Sequence, residues 1–185
     1  MSQNIEFHYE LDQGDFAAIT AKLRELAGNK ANTYIARALN KTATSARVKL
    51  GNKAQASYTV KSGGFKKDMQ IDKASAGNLV AVIRSNGDTL SVTKFRWSKG
   101  GKSGAKVDVV HGGLKHLGPE KRRAFAYNGA VFVRTGSERV PIEKKKSKSV
   151  PYMIGSENRV WGPMRPQVGS DLEKFMRQQI ATLIG

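Results

Sequence analysis

The chain has no cysteine. That excludes disulfides, thiolate metal sites and cysteine nucleophiles, and it fits a cytoplasmic origin. No apolar run is long enough to cross a bilayer, and the opening MSQNIEFHYE lacks the basic-then-apolar order of a secretory signal. Histidines number three, His8, His111 and His116. Without carboxylates at ligand spacing they do not define a metal site. No Gly-x-Ser-x-Gly elbow anchors a serine triad, and no internal repeat is visible. Acidic side chains are the scarcest common class: 15 Asp and Glu stand against 32 Lys and Arg, for a net charge of +17.

What is present suits one folded domain spanning 1–185. Hydrophobic residues make up 39% of the chain, enough for a core, so wholesale disorder is excluded. The positive charge is concentrated in the middle. Residues 1–29 carry two basic and five acidic side chains, residues 30–150 carry 26 and seven, and residues 151–185 carry four and three. A field of that sign favours polyanions, either nucleic acid or an acidic protein surface.

IEFHYEL (5–11) alternates apolar and polar residues and reads as a half-buried strand. Asp12 offers a helix cap, and Phe16, Ile19, Leu23 and Leu26 follow at helical spacing. A break at Gly28-Asn29 precedes a long helix from Lys30 to about Ser57. There Ile35, Leu39, Thr42, Ala46 and Leu50 share a face that suits close packing on something broad, such as a sheet. Arg37 and Lys41 fall on the far side, whereas Lys49 and Lys53 drift towards the apolar face. After a turn at Gly63-Gly64 comes one short helical turn and a strand. LVAVIRS (79–85) and LSVTKFRW (90–97), with Asn86-Gly87-Asp88 between them, read as a hairpin. Four further β-like runs follow. Ser170 and Glu173 then form a capping box for a C-terminal helix that Pro163 and Pro166 keep from starting earlier. The order defines an α+β fold: a mainly antiparallel sheet packed by a long helix of the N-terminal half and a C-terminal helix. Residues 98–106 and 143–149 read as mobile loops.

Three patterns approach catalytic chemistry. GGKSG (100–104) matches only the end of a phosphate-binding-loop motif; Arg96 stands where that motif needs its first glycine, and the stretch reads as a flexible loop. Asp108 with Glu143-Lys144-Lys145 mimics the Asp and Glu-x-Lys of Mg²⁺-dependent nucleases, a spacing common by chance in a lysine-rich chain. Phe95, Trp97, Phe125, Tyr127 and Phe132 are spaced as strand residues destined for a core rather than as base-stacking platforms. No cofactor site and no enzyme emerges, and any contact with nucleic acid would be to phosphates, independent of sequence.

The densest cationic run lies in SERVPIEKKKSKSVPYM (137–153), with four lysines in five positions between two apolar pieces. Lys144, Lys145, Lys146 and Lys148, with Lys99 and Lys102 of the glycine-rich loop, are the candidates to face DNA or an acidic partner. Val140-Pro141-Ile142 and Val150-Pro151-Tyr152-Met153 are the candidate subunit contacts, since proline fixes backbone shape and lowers the entropy lost on docking.

ARALNKTATSARVKL (36–50) leading into YTVKSGGFKKDMQI (58–71), LSVTKFRW (90–97) and AVFVRTGSERVPIEKKKSKSVPYMIG (130–155) together resemble the minor tail protein Z family of tailed bacteriophages and prophages. The likeness covers roughly residues 30 to 155. Where that family usually carries Gly-Pro before Ser-Val-Pro, this chain has Ser147-Lys148. The resemblance implies a non-enzymatic structural protein of a long non-contractile tail, completing its head-proximal end at the head–tail junction. It implies a homo-hexameric ring around the DNA conduit, other tail and neck proteins as partners, and non-specific contact with passing DNA. Its place would be the virion, after assembly in the host cytoplasm, with no membrane association. The alternative from charge alone is a sequence-independent nucleic-acid-binding protein.

Overall fold

The computed structural model describes residues 3–9, 13–60, 65–118 and 123–184. The elements in order are β1 (Gln3–Tyr9), α1 (Gln13–Ala27), α2 (Ala31–Ser57), β2 (Met69–Asp72), β3 (Ala81–Gly87), β4 (Thr89–Ser91) and β5 (Arg96–Ser98). Then come β6 (Lys106–Asp108), β7 (Lys115–His116), β8 (Phe125–Tyr127), β9 (Ala130–Arg134), β10 (Ile142–Lys144) and β11 (Lys146–Ser149). The chain ends in α3 (Val150–Ile154) and α4 (Trp161–Ile184). This is an α+β fold with antiparallel sheets, a long helix and a C-terminal helix. Asp12 and Gly63-Gly64 lie outside the described residues.

The long helix explains most of the core. Ile35, Leu39, Ala43, Ala46, Leu50 and Ala54 recur on one side of α2 and are fully buried, while Arg37 and Lys41 are exposed. The small side chains admit a second helix at close range. The broad partner expected to be a sheet is therefore largely α4, whose Val168, Leu172 and Met176 are buried in the same core. Each such side chain contributes roughly 1.5–3 kcal/mol relative to exposure. Lys49, which drifts towards the apolar face, donates to both carboxylate oxygens of Asp171 on α4 at 2.8 and 2.7 Å. Ser45 donates to the same carboxylate at 2.7 Å.

The other flank of α2 meets a sheet of order β1-β3-β2. Its register sets Phe7 and Ile71 opposite Ile83. Phe7, Ile83 and Met69 are buried, while on the outer face Arg84 Nε lies 2.8 Å from Asp72 and 3.4 Å from Glu6. The expected hairpin between 79–85 and 90–97 does not form. Asn86 and Gly87 stay in β3, paired with Asn4 and Gln3 of β1. The stretch 90–97 is broken by a 3-10 turn, Val92–Lys94, where Ser91 Oγ accepts from the Thr93 amide. Burial of Val92 and Phe95 holds that turn. β4 then pairs with β11 and β5 with β6.

α4 also departs from expectation. It begins at Trp161 and runs through both prolines. Pro163 falls in the first turn, where its missing N–H has no intrahelical partner to lose; Pro166 forfeits one bond. The start is fixed by Ser156, whose carbonyl accepts from the Arg159, Val160 and Trp161 amides, and by the Trp161 ring, 4.5 Å from that of Phe7. Ser170 is consequently mid-helix and donates to the Pro166 carbonyl, and Glu173 pairs with Arg177 at 2.8 Å. The Ser170–Glu173 capping box is not made.

Candidate functional site

The segment 130–155 forms one continuous unit. β9 supplies buried Val131 and Val133 and is the centre of a sheet of order β10-β9-β8. Beyond Arg134 the chain turns back to β10, and the turn is pinned at its base: the Thr135 amide and hydroxyl both donate to the Pro141 carbonyl, at 3.2 and 3.1 Å. The result is a closed tip that presents Glu138, Arg139 and Val140 to solvent, with Val140 67% and Ile142 39% exposed.

Residues 143–149, expected as a loop, lie largely in strands. The Lys145 amide donates to the Val131 carbonyl at 2.8 Å, continuing the pairing of β10 with β9, before β11 joins β4. Lys144, Lys146 and Lys148 are exposed; Lys145 turns partly inward and pairs with Glu143 at 3.3 Å. Ser149 caps α3 by accepting from the Tyr152 amide at 3.3 Å. That cap drives Val150, Pro151 and Met153 into the chain's own core and leaves Tyr152 48% exposed. Of the two apolar pieces proposed as subunit contacts, Val140-Pro141-Ile142 is free on the surface, whereas the second offers chiefly Tyr152.

Lys99 and Lys102 belong to a different part of the fold, the turn between β5 and β6, and are exposed. The Ser103 and Gly104 amides donate to the carbonyls of Gly100 and Gly101, at 3.0 and 3.1 Å. Those two amides are spent inside the turn and are not offered to a phosphate. Arg123 locks the turn by donating to the Lys102 carbonyl at 2.6 Å. Asp108 and Glu143 occupy different sheets, so the adjacency a nuclease pair requires is not made. His111 and His116 are both exposed, and no cluster of metal-ligating side chains occurs among the described residues. Phe95 is buried and Trp97, Phe125 and Phe132 are half-buried, but Tyr127 is 66% exposed, contrary to its expected place in the core.

Sequence reasoning missed an open groove of about 800 Å³ where β1, β11 and the α3–α4 connection meet. Its walls include Ile5, Tyr58, Lys148, Tyr152, Glu157 and Arg159. The Lys148 ammonium sits 4.1 Å over the Tyr152 ring. Glu157 is occupied by Arg165 at 2.8 Å, whereas Arg159 and Lys148 have no carboxylate partner among the described residues. The groove is therefore cationic with an aromatic wall. No periodicity could have revealed it, because its residues come from three separate stretches, Gln3–Ile5, Tyr58 and Lys148–Arg159.

No known family, curated protein or solved structure matches this chain at a significant level.

Proposed function

We propose that this chain is a structural protein of a long-tailed bacteriophage, completing the head-proximal end of the tail at the head–tail junction, as one subunit of a ring around the DNA conduit. The observation that carries the reading is the segment 130–155. The stretch with the fullest likeness to the tail-protein family is physically one unit: a buried strand, a pinned apolar tip, a lysine-bearing strand pair and a capped helix. A preformed apolar tip on the surface is what an assembly contact needs, because little entropy is lost when it docks. Exposed lysines without base-reading geometry suit a conduit, since phosphate contacts carry no sequence information.

The second reading, a free sequence-independent nucleic-acid-binding protein, is favoured by the exposed Lys144, Lys146 and Lys148. The two separate in virus particles. Purified virions should contain the chain in fixed stoichiometry, and a virus deleted for it should accumulate unjoined heads and tails. Infectious particles at normal yield without the chain would overturn the proposal.

A further inference from the structure

We infer that the cationic groove beside β1 receives the Glu138–Ile142 tip of a second copy, so that copies join head to tail. The inference rests on the proposed assembling role and names the surfaces that would perform it.

Three observations carry it. The first is charge. Among the described residues, Lys148 and Arg159 stand in the groove without carboxylate partners, and Glu138 stands on the tip without a cationic partner. An occupant of this groove should bring an acid next to apolar side chains, and Glu138-Arg139-Val140-Pro141-Ile142 has that order. The second is shape. The tip is closed at its base by two hydrogen bonds to the Pro141 carbonyl, and its exposed Val140 and Ile142 can meet Ile5, Pro151 and the Tyr152 ring. Among the described residues, β1 is also an edge strand with one side unpaired, and an extended segment there can add to it by main-chain hydrogen bonds. The third is reach. From Ile142 to Lys148 the chain runs through β10 and β11, six residue steps that span roughly 20 Å when extended. None of the residues lining the groove comes from the 135–142 tip of the same chain, so the occupant we assign is the tip of a second copy.

Tip and groove are different surfaces, so the contact is heterologous. Such contacts close into rings when the rotation per copy divides a full turn. Both apolar pieces flanking the lysines then act in one joint, Val140-Pro141-Ile142 as the insert and Pro151-Tyr152 as the wall.

The test is the native mass of nuclease-treated protein, by sedimentation across a concentration series. Wild type should form a discrete oligomer. Glu138→Lys alone, and Lys148→Glu with Arg159→Glu, should each weaken association at least tenfold while leaving circular dichroism unchanged. Mixing the two should restore the oligomer, because alternating copies re-form every opposite-charge contact. Since the chain has no cysteine, a Val140→Cys chain and a differently tagged Tyr152→Cys chain should give a disulfide-linked dimer on oxidation. Wild type that stays monomeric overturns the inference, as does unchanged mass in both charge variants or no cross-linked dimer. A monomer that binds a single-stranded oligonucleotide through Lys148 and Arg159 also overturns it and assigns the groove to nucleic acid. The proposed role is judged separately: a chain present in virion tails whose mass ignores these substitutions keeps the role and loses this joint.

Discussion

Asp171 shows how much one side chain can fasten. Burial pushes its carboxyl pKa up, but hydrogen bonds from Lys49 and Ser45 and the nearby Lys49 charge outweigh that and hold it below the ordinary carboxylate value. A group whose folded pKa is depressed stabilises fully above its unfolded value and loses that contribution as pH falls through the folded one. Asp171→Asn should therefore cost about 1–2 kcal/mol at pH 7 and flatten the acid side of the stability profile. Urea unfolding at pH 7 and pH 3 checks both; a variant as stable as wild type at pH 7 would show that the α2–α4 seam does not need this link. At Gly162 two effects compete. Helix propensity alone favours alanine there by up to about 1 kcal/mol. A Cβ at that position, however, would stand 2.1 Å from the Glu157 carbonyl oxygen, backbone that cannot step aside. Gly162→Ala should lower stability by roughly 2 kcal/mol, visible as a fall in melting temperature.

At the scale of elements, the lysine-rich strands make the sharpest contrast between side chain and backbone. Lys144, Lys146 and Lys148 are exposed, so changing all three to Ser should move stability by no more than about 0.5 kcal/mol. Lys145→Pro deletes the amide bonded to Val131 and should cost about 2 kcal/mol; equal melting curves for the two variants would mean that β10 is not held through its backbone. These strands were invisible in the sequence for a physical reason. Their inward positions carry the polar Lys145, Ser147 and Ser149, so no apolar period marks them, and β11 pairs with β4, more than 50 residues earlier. The faces of α2 and β3 were legible because burial imposes a period on them. The 79–97 hairpin was misjudged because Asn86-Gly87 is a local turn signal, overruled by pairing with β1 some 80 residues away. The same holds for Pro163 and Pro166, whose cost depends on where the helix starts, which the Ser156 carbonyl decides. At the candidate site, the exposed Val140-Pro141-Ile142 tip could be named from sequence. The groove could not, since Ile5, Tyr58 and Arg159 meet only in the fold.

For the whole molecule, the net charge of +17 dominates behaviour with polyanions. The isolated chain should bind duplex and single-stranded DNA without sequence preference, the logarithm of affinity falling linearly with the logarithm of salt concentration. If Lys144, Lys146 and Lys148 touch phosphates, replacing them with Ser should reduce that slope by up to about three on duplex DNA. An unchanged slope in fluorescence anisotropy titrations would move the contact to other cations. The placement of α4 has a further consequence, for synthesis. Its 24 residues are translated after β1–β11 and α1–α3, yet they cover the alanine-rich face of α2, made more than a hundred residues earlier. Chains leave the ribosome at roughly 5–20 residues per second, so each nascent copy carries an uncovered apolar seam for several seconds or longer. Ribosomes stalled just short of residue 161 should hold a chain that recruits chaperones and resists release in soluble form.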